Sequence, residues 1–258
     1  RTHWEGFTTA TAAARAGGVA AIIDMPLNSK PPTTTLAGLE TKRSSARSAP
    51  LSSDVGFWGG IIPGNLDEVV ELAAAGVRGF KCFLVESGVD EFPAIGFDDL
   101  DGALAATAAV GLPLLVHAES PAVIAAAPAP GADYGSYLAS RPPEAEVDAI
   151  AAVIAATRRS GGKAHILHLS AADALPLIAA AKAAGVQVTA ETCPHYLALT
   201  ADEIGDGDLA FKCAPPIRDA ANQEHLWEGL AAGTIDMVVS DHSPCPGDLK
   251  QGGFAKAW

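Results

Sequence analysis

The sequence has 258 residues, 49% of them hydrophobic and 18% charged, a balance that excludes a disordered chain and fits one large globular domain or two small ones. A formal net charge of −13 would repel a polyphosphate backbone, so nucleic acid is not an expected partner. No apolar run has the length and purity of a membrane span and no signal peptide is visible, so neither a membrane role nor export is expected. The four cysteines, Cys82, Cys193, Cys213 and Cys245, form no C-x-x-C pair and point to a reducing, cytoplasmic setting.

Short β-rich runs alternate with alanine-rich helical stretches along the whole chain. Residues 4–16 read as a helix stopped by Gly17 and Gly18, and residues 19–24 (VAAIID) as a buried strand. The Thr/Pro/Ser-rich segment 28–53 reads as a long connection with room for one short helix. Strands follow at 54–58 (DVGFW), 77–83 (VRGFKCF), 113–117 (PLLVH), 163–168 (KAHILH), 186–191 (VQVTAE) and 235–240 (IDMVVS). Helices are expected at 66–75, 97–109, 143–159, 172–184 and 220–232, with loops at 90–96 and 127–137. Such alternation implies parallel strands joined by crossover helices. The count fits a (β/α)8 TIM barrel that lacks its first strand and its final helix. An open doubly wound sheet is the alternative, and it would announce itself with a glycine-rich turn that is absent here. Arg1 leads almost directly into a helical pattern, which suggests a sequence that begins inside a longer protein.

In a barrel of parallel strands, reactive side chains gather at the C-terminal strand ends. Lys81, His117, His168 and Asp241 occupy such positions on four different strands. Each alone has an ordinary explanation: a hydrogen-bonded histidine, an aspartate capping the next helix, a lysine reaching solvent along its stem. Their recurrence at equivalent positions points to a shared mouth. Two imidazoles and a carboxylate suit a borderline divalent ion such as zinc. An ammonium cannot ligate a metal, but a buried lysine loses its charge readily and can add carbon dioxide to form a carbamate whose oxygens bind cations.

Around these residues the strings become specific. RTHWEGF (1–7), DMPLNSKPPTTT (24–35), GFKCFL (79–84), LLVHAE (114–119), HILHLS (165–170), ETCPHYL (191–197), FKCAPPIR (211–218) and VVSDHSPC (238–245) resemble, in this order, the cyclic amidohydrolases: dihydroorotases, hydantoinases and allantoinases. WEGF, DMPLNS, and FKCAPPIR with SDHSPC are most similar to the allantoinase branch. The resemblance implies a metal-dependent barrel and a site with two divalent ions, Zn2+ in the first place and Co2+, Mn2+ or Fe2+ as alternatives. Lys81 would bridge them as an N-carboxylated side chain, and His117 and His168 would bind the second ion. Asp241 would bind the first ion and act as general base and acid. His165 is then structural, and His195 and His242 are packing or supporting groups. Asn28, Ser243 and the Cys213, Ala214 and Pro215 backbone would grip a small cyclic ureide.

The implied reaction is hydrolysis of allantoin to allantoate by a metal-bound hydroxide, in a cytoplasmic homotetramer. The H-x-H pair that this group carries on its first strand is absent, His3 is no substitute, and the group's small β-sandwich is missing too. Residues 1–258 therefore read as an incomplete barrel domain, expected to be inactive alone. Competing expectations are a dihydroorotase, whose second strand tends to show MPN where this chain has MPLN, and a hydantoinase, disfavoured because KCFLVESG lacks a tyrosine soon after Lys81. A non-catalytic scaffold homologue is disfavoured by the retained ligands, and a Schiff-base barrel using Lys81 by the adjoining histidines.

Overall fold

The structure is a computed structural model that describes residues 4–257. Arg1, Thr2 and His3, the start of the RTHWEGF string, and Trp258 lie outside the described residues. The chain folds as two compact units, Arg1–Leu115 with Ser160–Lys163, and Val116–Arg159 with Ala164–Trp258.

In the first unit, α1 (Phe7–Ala16) ends at Gly17, and Gly18 follows with φ 82°, the left-handed turn that the glycine pair anticipates. The strand β1 (Ala21–Asp24) runs parallel to β2 (Asp54–Phe57), with Ala21 opposite Asp54 and Asp24 opposite Phe57. The buried Thr11 hydroxyl of α1 receives the Ser52 N–H at 3.1 Å. The connection at 28–53 holds more structure than expected. Thr35 caps a twelve-residue helix, α2 (Leu36–Arg47), by accepting the Gly38 N–H at 3.1 Å. From α2, the buried Lys42 ammonium reaches back to the Asp24 carboxylate at 2.6 Å and the Met25 carbonyl at 2.5 Å, which fixes the exit of β1.

The strand expected at 54–58 is broken at Trp58. Beyond it, β3 (Gly59–Gly60) pairs in parallel with β4 (Phe80–Phe83). A Cβ on Gly59 would stand 2.7 Å from the Phe80 ring and one on Gly60 2.5 Å from the Phe92 ring, so only glycine permits this approach. Two helices, α3 (Glu68–Ala74) and α4 (Leu100–Ala109), complete the unit. The chain passes into the second unit within the fully buried β5 (Leu114–His117).

The second unit holds α5 (Pro121–Ala126), α6 (Tyr134–Ala139), α7 (Pro143–Ser160), β6 (Ala164–Ile166), α8 (Leu175–Ala183), β7 (Val188–Thr192), α9 (Pro194–Ala198), α10 (Ala220–Ala231) and β8 (Met237–Val238). Helix α7 opens on proline and buries Ala149, Ile150, Val153 and Ile154, the i, i+3, i+4 face of an amphipathic helix. β6 and β7 pair in parallel with Ala164 opposite Val188, and β7 and β8 with Glu191 opposite Met237.

Three expectations are corrected here. Residues 127–137 are not all loop: Asp133 accepts the Ser136 N–H at 2.8 Å and starts α6 at Tyr134. The strand expected at 163–168 stops at Ile166, because His168 turns to φ 36°. The strand expected at 235–240 shrinks to two residues. The Asp236 carboxylate takes the Ala190 N–H at 2.8 Å and Lys182 Nζ at 2.7 Å, so a side chain replaces part of the ladder. The α/β class with parallel strands matches the expectation from sequence. Among the described residues, no helix is long and apolar enough to cross a membrane.

Candidate metal and substrate site

His117 is the last residue of β5, and His168 lies two residues beyond β6. Both are buried, and His117 Nδ1 stands 3.0 Å from His168 Nε2, with the rings edge to face. Two nitrogens bound at about 2.05 Å to one tetrahedral ion stand about 3.3 Å apart, so this facing pair has the spacing of two ligands of a single metal.

The other nitrogen of His117, Nε2, meets the fully buried Glu119 carboxylate at 2.6 Å, and Arg141 Nη1 meets the same oxygen from the other side. Burial alone would lift the Glu119 pKa. The hydrogen bond and charge of His117, with the Arg141 guanidinium, outweigh it and bring the pKa down to about 2. A fixed carboxylate behind an imidazole sets its tautomer and raises its basicity toward a cation, the arrangement that supports ligand histidines. The donor set in this unit therefore fits a divalent ion at two imidazoles. Among the described residues, no group of three or more His, Cys, Asp or Glu side chains is arranged to hold a metal.

A second set of bonds fixes the chain just after His168. The buried Glu146 carboxylate of α7 accepts the Ser170 and Ala171 N–H groups at 2.9 and 3.1 Å. Its other oxygen receives Arg218 Nη2 at 2.8 Å, and the same Nη2 reaches the Arg141 carbonyl at 3.2 Å. One buried network thus ties the strand-end loop carrying His168 to the segment 211–218.

Asp241 lies three residues past β8 and is half-buried; its negative charge adds to burial in lifting the pKa of Cys193 and of Cys213. Burial lowers the His195 pKa, while Asp241 pulls it the other way. Asp241 is thereby placed on the side of the unit that holds Cys193, His195 and Cys213. Ser243 is exposed two residues on, Cys213 is half-buried, Ala214 is exposed and Pro215 is buried.

In the first unit, Lys81 is buried in β4 with its ammonium 4.7 Å from the Phe83 ring centroid. Asn28 lies at the end of the DMPLN turn in the same unit, with φ 55°. Among the described residues, the non-glycine residues with positive φ are Asn28 at 55°, His168 at 36° and Asp241 at 45°. All three are residues that the sequence singles out for function. Such backbone costs on the order of 1–3 kcal/mol per residue and gathers where chemistry fixes a side chain against local preference.

His165, set aside as structural, has both nitrogens engaged, Nδ1 with the Thr189 hydroxyl at 2.7 Å and Nε2 with Glu191 at 2.9 Å. His195 packs on the Tyr196 ring at 4.2 Å. Sequence reasoning gave no role to Glu119, Arg141, Glu146 or Arg218. Glu119 could have been found as the carboxylate two residues past a strand-end histidine. The others act across 22 to 77 residues and leave no local signal.

No family model matches the chain. Among curated proteins, it is 57% identical over 259 residues to the allantoinase of Streptomyces avermitilis, covering all of this chain and 58% of that protein. It is 45% identical to the allantoinase of Saccharomyces cerevisiae and 47% identical to the mitochondrial allantoinase of Aquarana catesbeiana, again over its whole length and over 58% and 54% of theirs. Among solved structures, the L-hydantoinase (dihydropyrimidinase) of Arthrobacter aurescens superposes with a TM-score of 0.90 at 34% identity, over 98% of this chain and 56% of that one. The D-hydantoinase of Bacillus sp. AR9 gives 0.86 at 30% identity, over 98% and 58%. The chain thus spans a little over half the length of the relatives it matches. Over the whole of that span it is similar to the allantoinases, and its fold matches that of the hydantoinases.

Proposed function

We propose that the protein works as an allantoinase, opening the five-membered ring of allantoin by hydrolysis of a ring amide to give allantoate, on a fold of the (β/α)8 type. The observation that carries this reading is the buried His117–His168 pair, 3.0 Å between ring nitrogens and backed by Glu119, in a chain that is 57% identical to a stretch covering 58% of an allantoinase. His117 and His168 would hold a divalent ion, Zn2+ first, and Asp241 would serve a second. When bound, such ions supply acidified water and polarise the ring carbonyl.

The chain's own groups do the rest. The Asp241 carboxylate, held on a strained backbone, takes a proton from the attacking water and returns it to the leaving ring nitrogen. Ala214 is exposed between half-buried Cys213 and buried Pro215 and offers an N–H and a C=O to a ring amide, whose donor and acceptor are likewise adjacent. Asn28 and Ser243 are further candidates for ring contacts. Lys81 is the candidate for N-carboxylation, which is tested by the mass of carbon dioxide added to its peptide. Hydantoin hydrolysis is the second reading, favoured by the fold match to the Arthrobacter aurescens enzyme and opposed by KCFLVESG, which has no tyrosine.

The test is steady-state hydrolysis of allantoin beside hydantoin and dihydroorotate by a full-length protein carrying this sequence, with Asp241→Asn as the control. The exchange should lower kcat by about 10²–10⁴-fold while histidine-bound metal persists. Unchanged turnover in Asp241→Asn would remove the aspartate from the reaction, and turnover of hydantoin without allantoin would replace the substrate.

A further inference from the structure

The segment Cys213–Ile217 has a composition that cannot support itself. Pro215 and Pro216 have no N–H, so the segment can complete neither a helix nor a strand ladder, yet its buried carbonyls still need donors. Those donors are side-chain hydroxyls. Tyr137 Oη donates to the Cys213 carbonyl at 2.6 Å, Tyr196 Oη to Pro215 at 2.7 Å, Ser170 Oγ to Pro216 at 2.5 Å and Tyr134 Oη to Ile217 at 2.8 Å. The sequence contains three tyrosines, and all three hydroxyls end on this one segment.

Tyr134 and Tyr137 are one turn apart on the short helix α6, whose start is fixed by the Asp133 cap, and the buried Phe254 ring packs on both, at 5.1 and 5.9 Å. Tyr196 comes from α9. The one carbonyl these hydroxyls skip is that of Ala214, the exposed residue in the middle. A clamp that secures the carbonyls of 213, 215, 216 and 217 and leaves that of 214 open does more than satisfy carbonyls: it fixes the backbone on both sides of Ala214.

We infer that Tyr134, Tyr137 and Tyr196 are positioning residues for ring recognition, acting through the Cys213–Ile217 backbone to aim Ala214 at the ring amide. This rests on the assignment of Ala214 as a ring contact in the proposed function. Burial raises the pKa of all three phenols above the usual range, so they remain protonated donors wherever the protein is folded near neutral pH. Tyrosine suits the task because its ring has few rotatable bonds and, once packed, holds its hydroxyl in place.

The experiment compares Tyr134→Phe, Tyr137→Phe, Tyr196→Phe and Ser170→Ala with the unsubstituted protein, using allantoin as the probe. It measures kcat, KM, bound metal and, by calorimetry, allantoin Kd. Phenylalanine keeps the ring packing and deletes one donor. The expected result is a KM and Kd raised roughly five- to tenfold in Tyr137→Phe, which frees the carbonyl next to Ala214, with kcat and metal content nearly unchanged. A KM and Kd that stay at the unsubstituted values in all four variants, with only thermal stability lowered, would overturn the inference and leave the hydroxyls as fold-satisfying groups. A fall in kcat with metal loss at constant Kd would overturn it as well. Binding of allantoin without turnover by the unsubstituted protein, with Kd weakened in the Phe variants, would sink the catalytic reading and uphold the clamp. Failure to bind allantoin at all would sink both.

Discussion

The second unit contains the same pair of residues twice, with opposite consequences. His117 and His165 are both buried, and each presents Nε2 to a buried glutamate, Glu119 at 2.6 Å and Glu191 at 2.9 Å. They differ in what the remaining nitrogen meets. His165 Nδ1 ends on the Thr189 hydroxyl, a neutral group that can give or take a hydrogen bond, so the protein itself completes that histidine. His117 Nδ1 faces a second imidazole nitrogen, His168 Nε2, at 3.0 Å. The carboxylate differs as well. Glu119 is shared with Arg141 and held ionised, and the polarity of the pair is therefore set from behind. A histidine–glutamate contact by itself does not mark a ligand. The facing nitrogens of His117 and His168 are what set the proposed ligand pair apart.

That contrast can be broken at four points. The largest effect is expected for His168→Ala, which removes one of the facing nitrogens. Zinc affinity, read by chelator competition, should fall by more than about 100-fold, beyond the range seen for outer partners. An unaltered affinity would show that the pair is a hydrogen bond only. Next is Glu119→Gln, which keeps the shape and removes the charge; about 10–100-fold weaker zinc binding with a folded protein is expected, and equal binding would make the carboxylate irrelevant to the ligand.

His165→Ala should do the reverse. It leaves Glu191 without its imidazole and should cost about 1–3 kcal/mol in denaturant unfolding, with zinc stoichiometry unchanged. Loss of metal in that variant would erase the distinction drawn here. The smallest effect belongs to Thr189→Val, about 1 kcal/mol for one hydrogen bond with no change in metal.

The candidate residues that sequence reading picks out are those that stand out by chain position. Lys81, His117, His168 and Asp241 stand out because they recur at or just past strand ends, and the structure keeps each at or near such an end even where the strand is shorter than expected. What it could not find depends on distance along the chain. Arg141 meets Glu119 from 22 residues away and Arg218 meets Glu146 from 72, contacts that no local period encodes. The short helices α5 and α6 were missed for another reason. Each is six residues long, too short to show an amphipathic period, and is announced only by its cap at Ser120 or Asp133. The break at Trp58 was hidden because two glycines look like a turn, whereas here they let two aromatic rings close over the backbone.

The positive φ values at Asn28, His168 and Asp241 also dictate which replacements each position can accept. Asparagine, aspartate and histidine are the non-glycine residues that enter the left-handed region most readily, so each position already carries a type suited to its backbone. The exchange a chemist would call most conservative, Asp241→Glu, keeps the carboxylate but surrenders that suitability, while Asp241→Asn keeps the backbone and loses the charge. Libraries that vary these three sites by charge or size alone will thus discard variants for a reason invisible in their side chains.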